Sequence, residues 1–489
     1  MRVLVVGAAC AGLSAVGVTG ASASHESFPA VLTAQEASRT QLSPGPGAQL
    51  WVARYGTTEF EDTANAVQVS PGGGTVFVTG STDPPSGGGG LDYATVAYNA
   101  STGAQLWLAS YNDPYGLNDY ATSLAVSPSG ETVYVTGPGG YENGGVSSYD
   151  YTTIAYNAAT GGALWVARYN GPGNSDDRAT SVTLSRSGGT VYVTGYSSGT
   201  TSGYDYATVA YNAATGAQLW AKRYNGPGNS DDRATSVGVS PNGKRVFTTG
   251  YSTGKTSGDD YATVAYNATT GAQLWVKRYN GPGNGDDSAF ALAVSPTDGA
   301  LYVTGGSASK GEGPGYATVA YNVATGAQLW VKRYNGPATL DDSARSIAVS
   351  PGGGTLFVTG QSVGTKSNYD YATIAYKATT GTRLWVKRYN GPGNSDDRAT
   401  SAVVSPGGNT VYVTGESPGT SSGYDYATIA YSATSGARLW VARLNGTGNG
   451  NDTAQAAAVS PTTGTVFVTG SSAGTGTMEI DYATVAYHG

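Results

Sequence analysis

Histidine and cysteine are almost missing from this chain: two histidines, His25 and His488, and one cysteine, Cys10, in 489 residues. A Ser-His-Asp triad, a histidine general base or a His/Cys zinc cage therefore has almost no material. Charge is scarce as well: Asp, Glu, Lys and Arg together make up 12%, with a formal net charge of -7 and a pI near 4.9. A surface that tracks phosphates needs clustered lysine and arginine, so nucleic acid is set aside as a partner. Past the N-terminal segment no run approaches the roughly eighteen apolar residues of a membrane span, and no span is expected.

Glycine is what the chain has in excess. Its 74 glycines are about 15% of the sequence, twice the usual ~7%, and they accompany 36 tyrosines. A disordered chain would not carry so many aromatics; short strands joined by tight turns would. The tryptophans fall at Trp51, Trp107, Trp165, Trp220, Trp275, Trp330, Trp385 and Trp440, with gaps of 56, 58, 55, 55, 55, 55 and 55. The glycine closing each "VTG" or its equivalent keeps the same beat, at Gly80, Gly137, Gly195, Gly250, Gly305, Gly360, Gly415 and Gly470. Two independent markers thus count eight repeats, and NGPGNSDDRATS recurs unchanged at 170–181, 225–236 and 390–401.

Each unit holds four apolar or alternating runs between turn residues, the pattern of four short strands. In the third unit they are 179–185, 190–195, 206–212 and 217–224. The first is rich in small residues, as an innermost strand near a crowded axis requires, and the last carries the bulky Leu219 and Trp220 of a wide outer edge. Nothing reads as helix. The expected fold is all-β: an eight-bladed β-propeller with four antiparallel strands per blade. The chain enters on an isolated fourth-type strand, 48–55, and leaves after a third-type strand, 481–488, so the N-terminal outer strand is expected to close the ring and remove exposed edges. Ahead of it, Arg2, the apolar Val3–Val18 and Ala21-Ser22-Ala23 read as a signal peptide over 1–23, followed by a flexible leader over 24–47. The propeller is expected to span 48–489, secreted or at the cell surface by a bacterial type of export, and to act as a monomer. Cys10 would leave with the signal.

The run Ala210-Tyr-Asn-Ala-Ala-Thr-Gly-Ala-Gln-Leu-Trp220 resembles the tryptophan-docking motif of the quinoprotein (pyrroloquinoline quinone) propellers, which are also eight-bladed. The wider unit resembles the bacterial SBBP-type β-propeller repeat: an Asp starting the third strand, Gly then Trp in the hairpin, an Asp before the first strand and "VYVTG" in the second. The resemblance covers 48–489 and speaks for the fold, because the recurring residues are blade-packing ones. A quinoprotein enzyme would add singular residues to its repeats, among them a catalytic Asp and calcium-binding Glu and Asn. None is identifiable, so neither pyrroloquinoline quinone nor catalysis is expected.

Two acidic series recur. Asp62, Asp119, Asp177, Asp232, Asp287, Asp342, Asp397 and Asp452 precede the inner strand in every unit. They could form a carboxylate ring holding Ca²⁺, but the preferred role is capping backbone N–H groups in the loops between blades, since eight uncompensated carboxylates on one axis would repel. Asp92, Asp150, Asp205, Asp260, Asp370, Asp425 and Asp481 form the second, with Gly315 breaking it. Counting through the hairpin sets Asp205 opposite Arg223, so these are expected as exposed cross-strand ion pairs.

Specificity should lie where the repeats differ. The segments between second and third strands vary most, and at their ends Tyr149, Tyr204, Tyr369 and Tyr424 form a tyrosine rim that could stack on sugars or clamp a protein. The expected function is a non-catalytic binding or scaffolding module for extracellular polysaccharide or protein. A quinoprotein-like or carbohydrate-active enzyme is the competing class.

Overall fold

The structure is a computed structural model that describes residues 44–489 apart from 57–60, 84–89, 144–145, 298 and 476–479. The signal peptide and residues 24–43 of the leader lie outside the described residues. From Pro44 onward the chain folds as eight four-stranded antiparallel sheets, with no helix among the described residues. Numbering blades from the first complete one, blade 1 spans Thr63–Val69 to Gln105–Tyr111, blade 2 Ser123–Val126 to Ala163–Tyr169, blade 3 Asp177–Leu184 to Gln218–Tyr224, blade 4 Asp232–Val239 to Gln273–Tyr279, and blade 5 Asp287–Val294 to Gln328–Tyr334. Blade 6 spans Asp342–Val349 to Arg383–Tyr389 and blade 7 Arg398–Val404 to Arg438–Leu444. In blade 8 the outer strand is Gln49–Tyr55, pairing antiparallel with Ile480–Tyr487 so that Trp51 faces Ala486 and Tyr55 faces Tyr482. The expected closure by the N-terminal strand is therefore the arrangement found.

Both sequence markers have a steric cause. Each complete inner strand carries a bulge at its fourth position; in blade 3 the register jumps from Ala179 to Ser181, leaving Thr180 outside the ladder. The bulge pushes the strand toward its neighbour, and a Cβ on the "VTG" glycine opposite would overlap the carbonyl oxygen of the second inner-strand residue, Arg178 for Gly195 and Arg233 for Gly250. Only glycine fits there. The bulged residue in turn links blades: Thr180 Oγ1 donates to Thr194 O at 3.1 Å and to Ala234 O of the next blade at 3.0 Å. Asn65, Thr122, Thr235 and Thr400 make the same forward bond, to Ala121, Ala179, Ala289 and Ala454.

The tryptophans dock blades in the manner the motif implies. Trp220 is 7% exposed, its Nε1 donates to Ala268 O of the next blade, and it lies flat on Gly271 at φ +66, where a Cβ would come within 2.7 Å of the indole. Gly47, at φ +78, does the same for Trp440, so the end of the segment expected as leader is part of the ring's packing. A second bulge in each outer strand separates Leu219 from Trp220: Ala210 faces Trp220 and Tyr211 faces Gln218. Leu219 is thereby turned outward, 52% exposed, as are its equivalents from Leu50 to Leu439.

The second and third strands run further than the sequence pattern suggests, to Thr190–Ser198 and Tyr204–Asn212 in blade 3. The variable segments are hairpins rather than loops. Tyr149, Tyr204, Tyr369 and Tyr424 accordingly sit in the ladder, opposite Gly140, Ser198, Val363 and Pro418.

Candidate ligand-binding face

The aspartates before the inner strands are buried under the loops that join successive blades. Asp177 accepts from Gly171 N at 2.6 Å with one oxygen and Ser198 N at 3.1 Å with the other. Asp287 takes Gly281 N and Ala308 N, and Asp452 takes Gly446 N and Ala473 N. Each carboxylate thus ties an interblade loop to the hairpin beside it, the capping role weighed above against a cation ring. Burial pushes Asp119 up to about 7 and Asp232 and Asp397 to about 6, against the opposing pull of their N–H donors. Among the described residues no group of three His, Cys, Asp or Glu side chains is placed around a metal position.

The second series does form cross-strand ion pairs, but diagonally rather than in direct register, and half-buried rather than in the open. Arg223 faces Ala207 and reaches diagonally to Asp205 at 2.8 Å, with side-chain exposures of 20% and 9%. Arg278–Asp260, Arg388–Asp370 and Arg443–Asp425 repeat this. The expectation of exposed pairs in direct register is corrected: the bulky guanidinium turns back along the strand to collect the carbonyl of Ser197 as well.

Two members of the series lack that partner. In blade 1 the arginine position is Ser110, and in blade 2 Arg168 turns to Gly140 O and Tyr111 Oη. Asp150 is 2% exposed; burial first, then the nearby Asp177 charge, push it up to about 7. A carboxyl raised in the folded state stabilises fully below its unfolded pKa of about 3.9 and loses that contribution as pH rises through the folded value. Asp150→Asn is therefore expected to flatten the decline in melting temperature between about pH 4 and pH 7. Asp205→Asn should act oppositely, destabilising by about 1–3 kcal/mol at neutral pH because it strands the Arg223 guanidinium. Melting curves across pH for both variants check the contrast.

Where blades 3 and 4 meet the channel, the second inner-strand residue and the residue after the "VTG" glycine form filled cross-strand pairs, Arg178 with Tyr196 and Arg233 with Tyr251. The rim tyrosines pack onto these arginines: Arg178 sits 4.3 Å from the Tyr149 ring and Arg233 4.8 Å from the Tyr204 ring. In blades 5 and 6 the same pairs are Ser288 with Gly306 and Ser343 with Gln361. Small residues replace large ones, and space opens. A cavity of about 250 Å³ lies over Ser288, Phe290, Gly306, Ser343 and Tyr369. Through Gln361 it adjoins an inner cavity of about 450 Å³ lined by Arg345, Arg398, Thr400, Glu416, Thr453 and Gln455. Through Asp341 and Tyr369 it adjoins an outer one of about 240 Å³ beside Leu340, which is 55% exposed. Joined by these shared lining residues, the three make one groove across blades 5 to 8.

The structure divides the four tyrosines. Tyr149 and Tyr204 are occupied by arginines, Tyr369 is shared between an arginine and the groove, and for Tyr424 the equivalent position on the following inner strand is Thr453 rather than an arginine. Sequence reasoning missed Ser288, Phe290, Ser343, Arg345 and Gln361. The signal was there, as departures from the repeat inside the strands, where packing residues rather than recognition residues were expected.

Ring, blades and docking indoles together define an eight-bladed β-propeller with a polar groove on one face. The chain belongs to the family described as outer membrane protein assembly factor BamB, which matches residues 35–208, 205–369 and 315–484. No curated protein matches it. Among solved structures it is similar to Sqt1 of Chaetomium thermophilum bound to the N-terminus of ribosomal protein L10 (11% identity, TM-score 0.57, covering 90% of this chain and 100% of that one). The quinohemoprotein alcohol dehydrogenase of Comamonas testosteroni is similar at 14% identity and TM-score 0.53, over 90% and 76%. BamB of Moraxella catarrhalis gives 14% and 0.46, over 89% and 97%. At such identities the likeness shows the fold.

Proposed function

We propose that the chain is a non-catalytic binding scaffold, exported from a bacterial cell, that holds an extended segment of a protein partner along the groove of blades 5 to 8. The observation that carries this reading is the groove itself, which opens where the pairs Ser288/Gly306 and Ser343/Gln361 of two adjacent blades are small beside the Arg/Tyr pairs of blades 3 and 4. The groove offers what a peptide segment needs: an apolar contact at Leu340 and Tyr369, hydrogen-bonding serine and glutamine walls, and charge at both ends. The known protein complex of Sqt1 supports the same use of the fold. The SBBP-type assignment of the repeat belongs to this proposal too.

The enzyme reading finds less support. A quinone with its calcium needs an aromatic floor and a cage of free carboxylates, whereas the indoles dock blades, the aspartates that precede the inner strands are bonded to backbone N–H groups, and Glu416 in the inner cavity is held by Arg398 and Thr453. These residues do not fit that group.

Ser343→Arg with Gln361→Tyr rebuilds in blade 6 the pair found in blades 3 and 4 and should fold with an unchanged melting temperature. Proteins captured from an envelope extract by the wild type should be lost by this filled variant and kept by Tyr149→Ser/Tyr204→Ser. Equal capture by the wild type and the filled variant overturns the groove as the site.

A further inference from the structure

The bulged fourth position of the inner strand is structural in five of the eight blades, where Asn65, Thr122, Thr180, Thr235 and Thr400 bond the next blade. Blades 5 and 6 place Phe290 and Arg345 there instead, and no such forward bond is made by either. Blade 8 has Gln455 at this position, and only in blades 5 and 6 do two adjacent substituted residues meet: the Arg345 guanidinium lies 4.4 Å from the centre of the Phe290 ring. Ring support fixes the plane of the guanidinium and leaves its N–H edge free.

That edge has no acceptor. Arg398, beside it, is satisfied by Asp396 at 2.5 Å and Glu416 at 3.0 Å, but among the described residues Arg345 has neither an ion pair nor a hydrogen bond. Arg345 is an exposed residue, and its side chain lines the inner cavity of about 450 Å³. Crowding by the surrounding protein, with the like charge of Arg398 adding to it, pushes its pKa below the usual arginine value. Such a cation is stabilised by an anion that meets it edge-on, and the side-chain amides of Gln361 and Gln455 on the cavity wall supply neutral donors for the rest of the anion.

We propose that the inner end of the groove is a carboxylate-binding site, in which Arg345, supported by Phe290, takes a carboxylate through paired N–H···O bonds. The inference rests on the groove being the binding face and adds the chemistry of its anchor: an acidic side chain of the protein partner. The same carboxylate chemistry occurs in uronic-acid polymers, so the test separates the two sources.

Three probes are titrated against the full chain by calorimetry: a short peptide bearing consecutive glutamates, a galacturonate oligomer and inorganic phosphate. Wild type is expected to bind the glutamate peptide saturably, at least tenfold more tightly than either of the others. The key variant is Arg345→Thr, which restores the residue of blades 2, 3, 4 and 7 and with it the forward bond. It should melt at or above the wild-type temperature yet lose peptide binding at least tenfold. Arg345→Lys, keeping charge without the fork, should lose several-fold. Undiminished peptide binding by Arg345→Thr overturns the site, and preference for galacturonate or phosphate overturns the acidic side chain as the anchor. If Arg345→Thr still captures the partner that the filled Ser343→Arg/Gln361→Tyr variant loses, the groove stands and the carboxylate anchor falls.

Discussion

A chain starting at Gly56 is expected to be less stable than the full chain by on the order of 5 kcal/mol or more. The strand Gln49–Tyr55 is the outer strand of blade 8, and removing it takes away the whole ladder with Ile480–Tyr487. Trp51 goes with it, 9% exposed and bonded through Nε1 to Ala100 O of blade 1, and the loss of one such indole alone costs about 3–5 kcal/mol. Gly47 is lost from the face of Trp440, so blade 7 loses part of its docking to blade 8. Tyr482, fully buried and facing Tyr55 in a T-shaped contact at 5.3 Å, becomes an open edge, and open edges pair with other chains. The denaturant midpoint should fall and the truncated protein should self-associate. A synthetic peptide of residues 44–56 should restore both, because a ring that is closed by hydrogen bonds rather than a covalent link can be closed in trans. An unchanged midpoint would mean that the last blade holds without its fourth strand.

How much of this was legible in the sequence depends on how the information is carried. Repeat number, strand order within a blade and closure were legible because each rests on residues that recur in register: Trp220 every fifty-five residues or so, Gly195 at the same phase, and an unmatched strand at each end. The reasons behind those markers were not. Gly195 is required by a bulge at Thr180, and a bulge leaves no trace in an alternation pattern; it only shifts which residues face each other. The same blindness set Asp205 opposite Arg223, when a diagonal reach joins them. Tyr204 was expected on a loop because Gly and Ser surround it, yet hairpin pairing with Ser198 extends the strand through it.

The site was half legible. Variation among repeats pointed to Tyr369, which lines the groove. The remainder of the groove comes from absences, Ser288 for an arginine and Gly306 for a tyrosine, and a missing side chain signals a cavity only once its neighbours are known. Arg345 is the converse case: a departure inside a strand read as packing, which the forward bonds of Thr180 and Thr235 show to be a place where packing has been given up.

Trp330→Ala is expected to destabilise the protein by about 3–5 kcal/mol while leaving recognition in place. Trp330 stands on the outer strand of blade 5, 8% exposed, with Nε1 donating to Ala378 O of blade 6 at 3.0 Å. Tyr302 and Tyr376 flank it at 5.8 and 6.2 Å, and Gly381 lies flat beneath it. The indole therefore joins the very blades whose inner ends form the groove, and its removal leaves a void that close-packed neighbours cannot fill by small shifts. Its docking partner Ala378 follows the third strand, Tyr369–Lys377, whereas the groove is at the other end of that strand, where Tyr369 begins it. Stability and recognition are separated along the length of a blade. Binding of the glutamate peptide, measured well below the variant's transition, should match wild type within about twofold, while the denaturant midpoint drops. Trp330→Phe should recover part of the midpoint, since it restores ring contact but not the bond to Ala378. Loss of peptide binding by folded Trp330→Ala would show that the docking of blades 5 and 6 sets the groove's shape, and that the outer and inner ends of the blades act together.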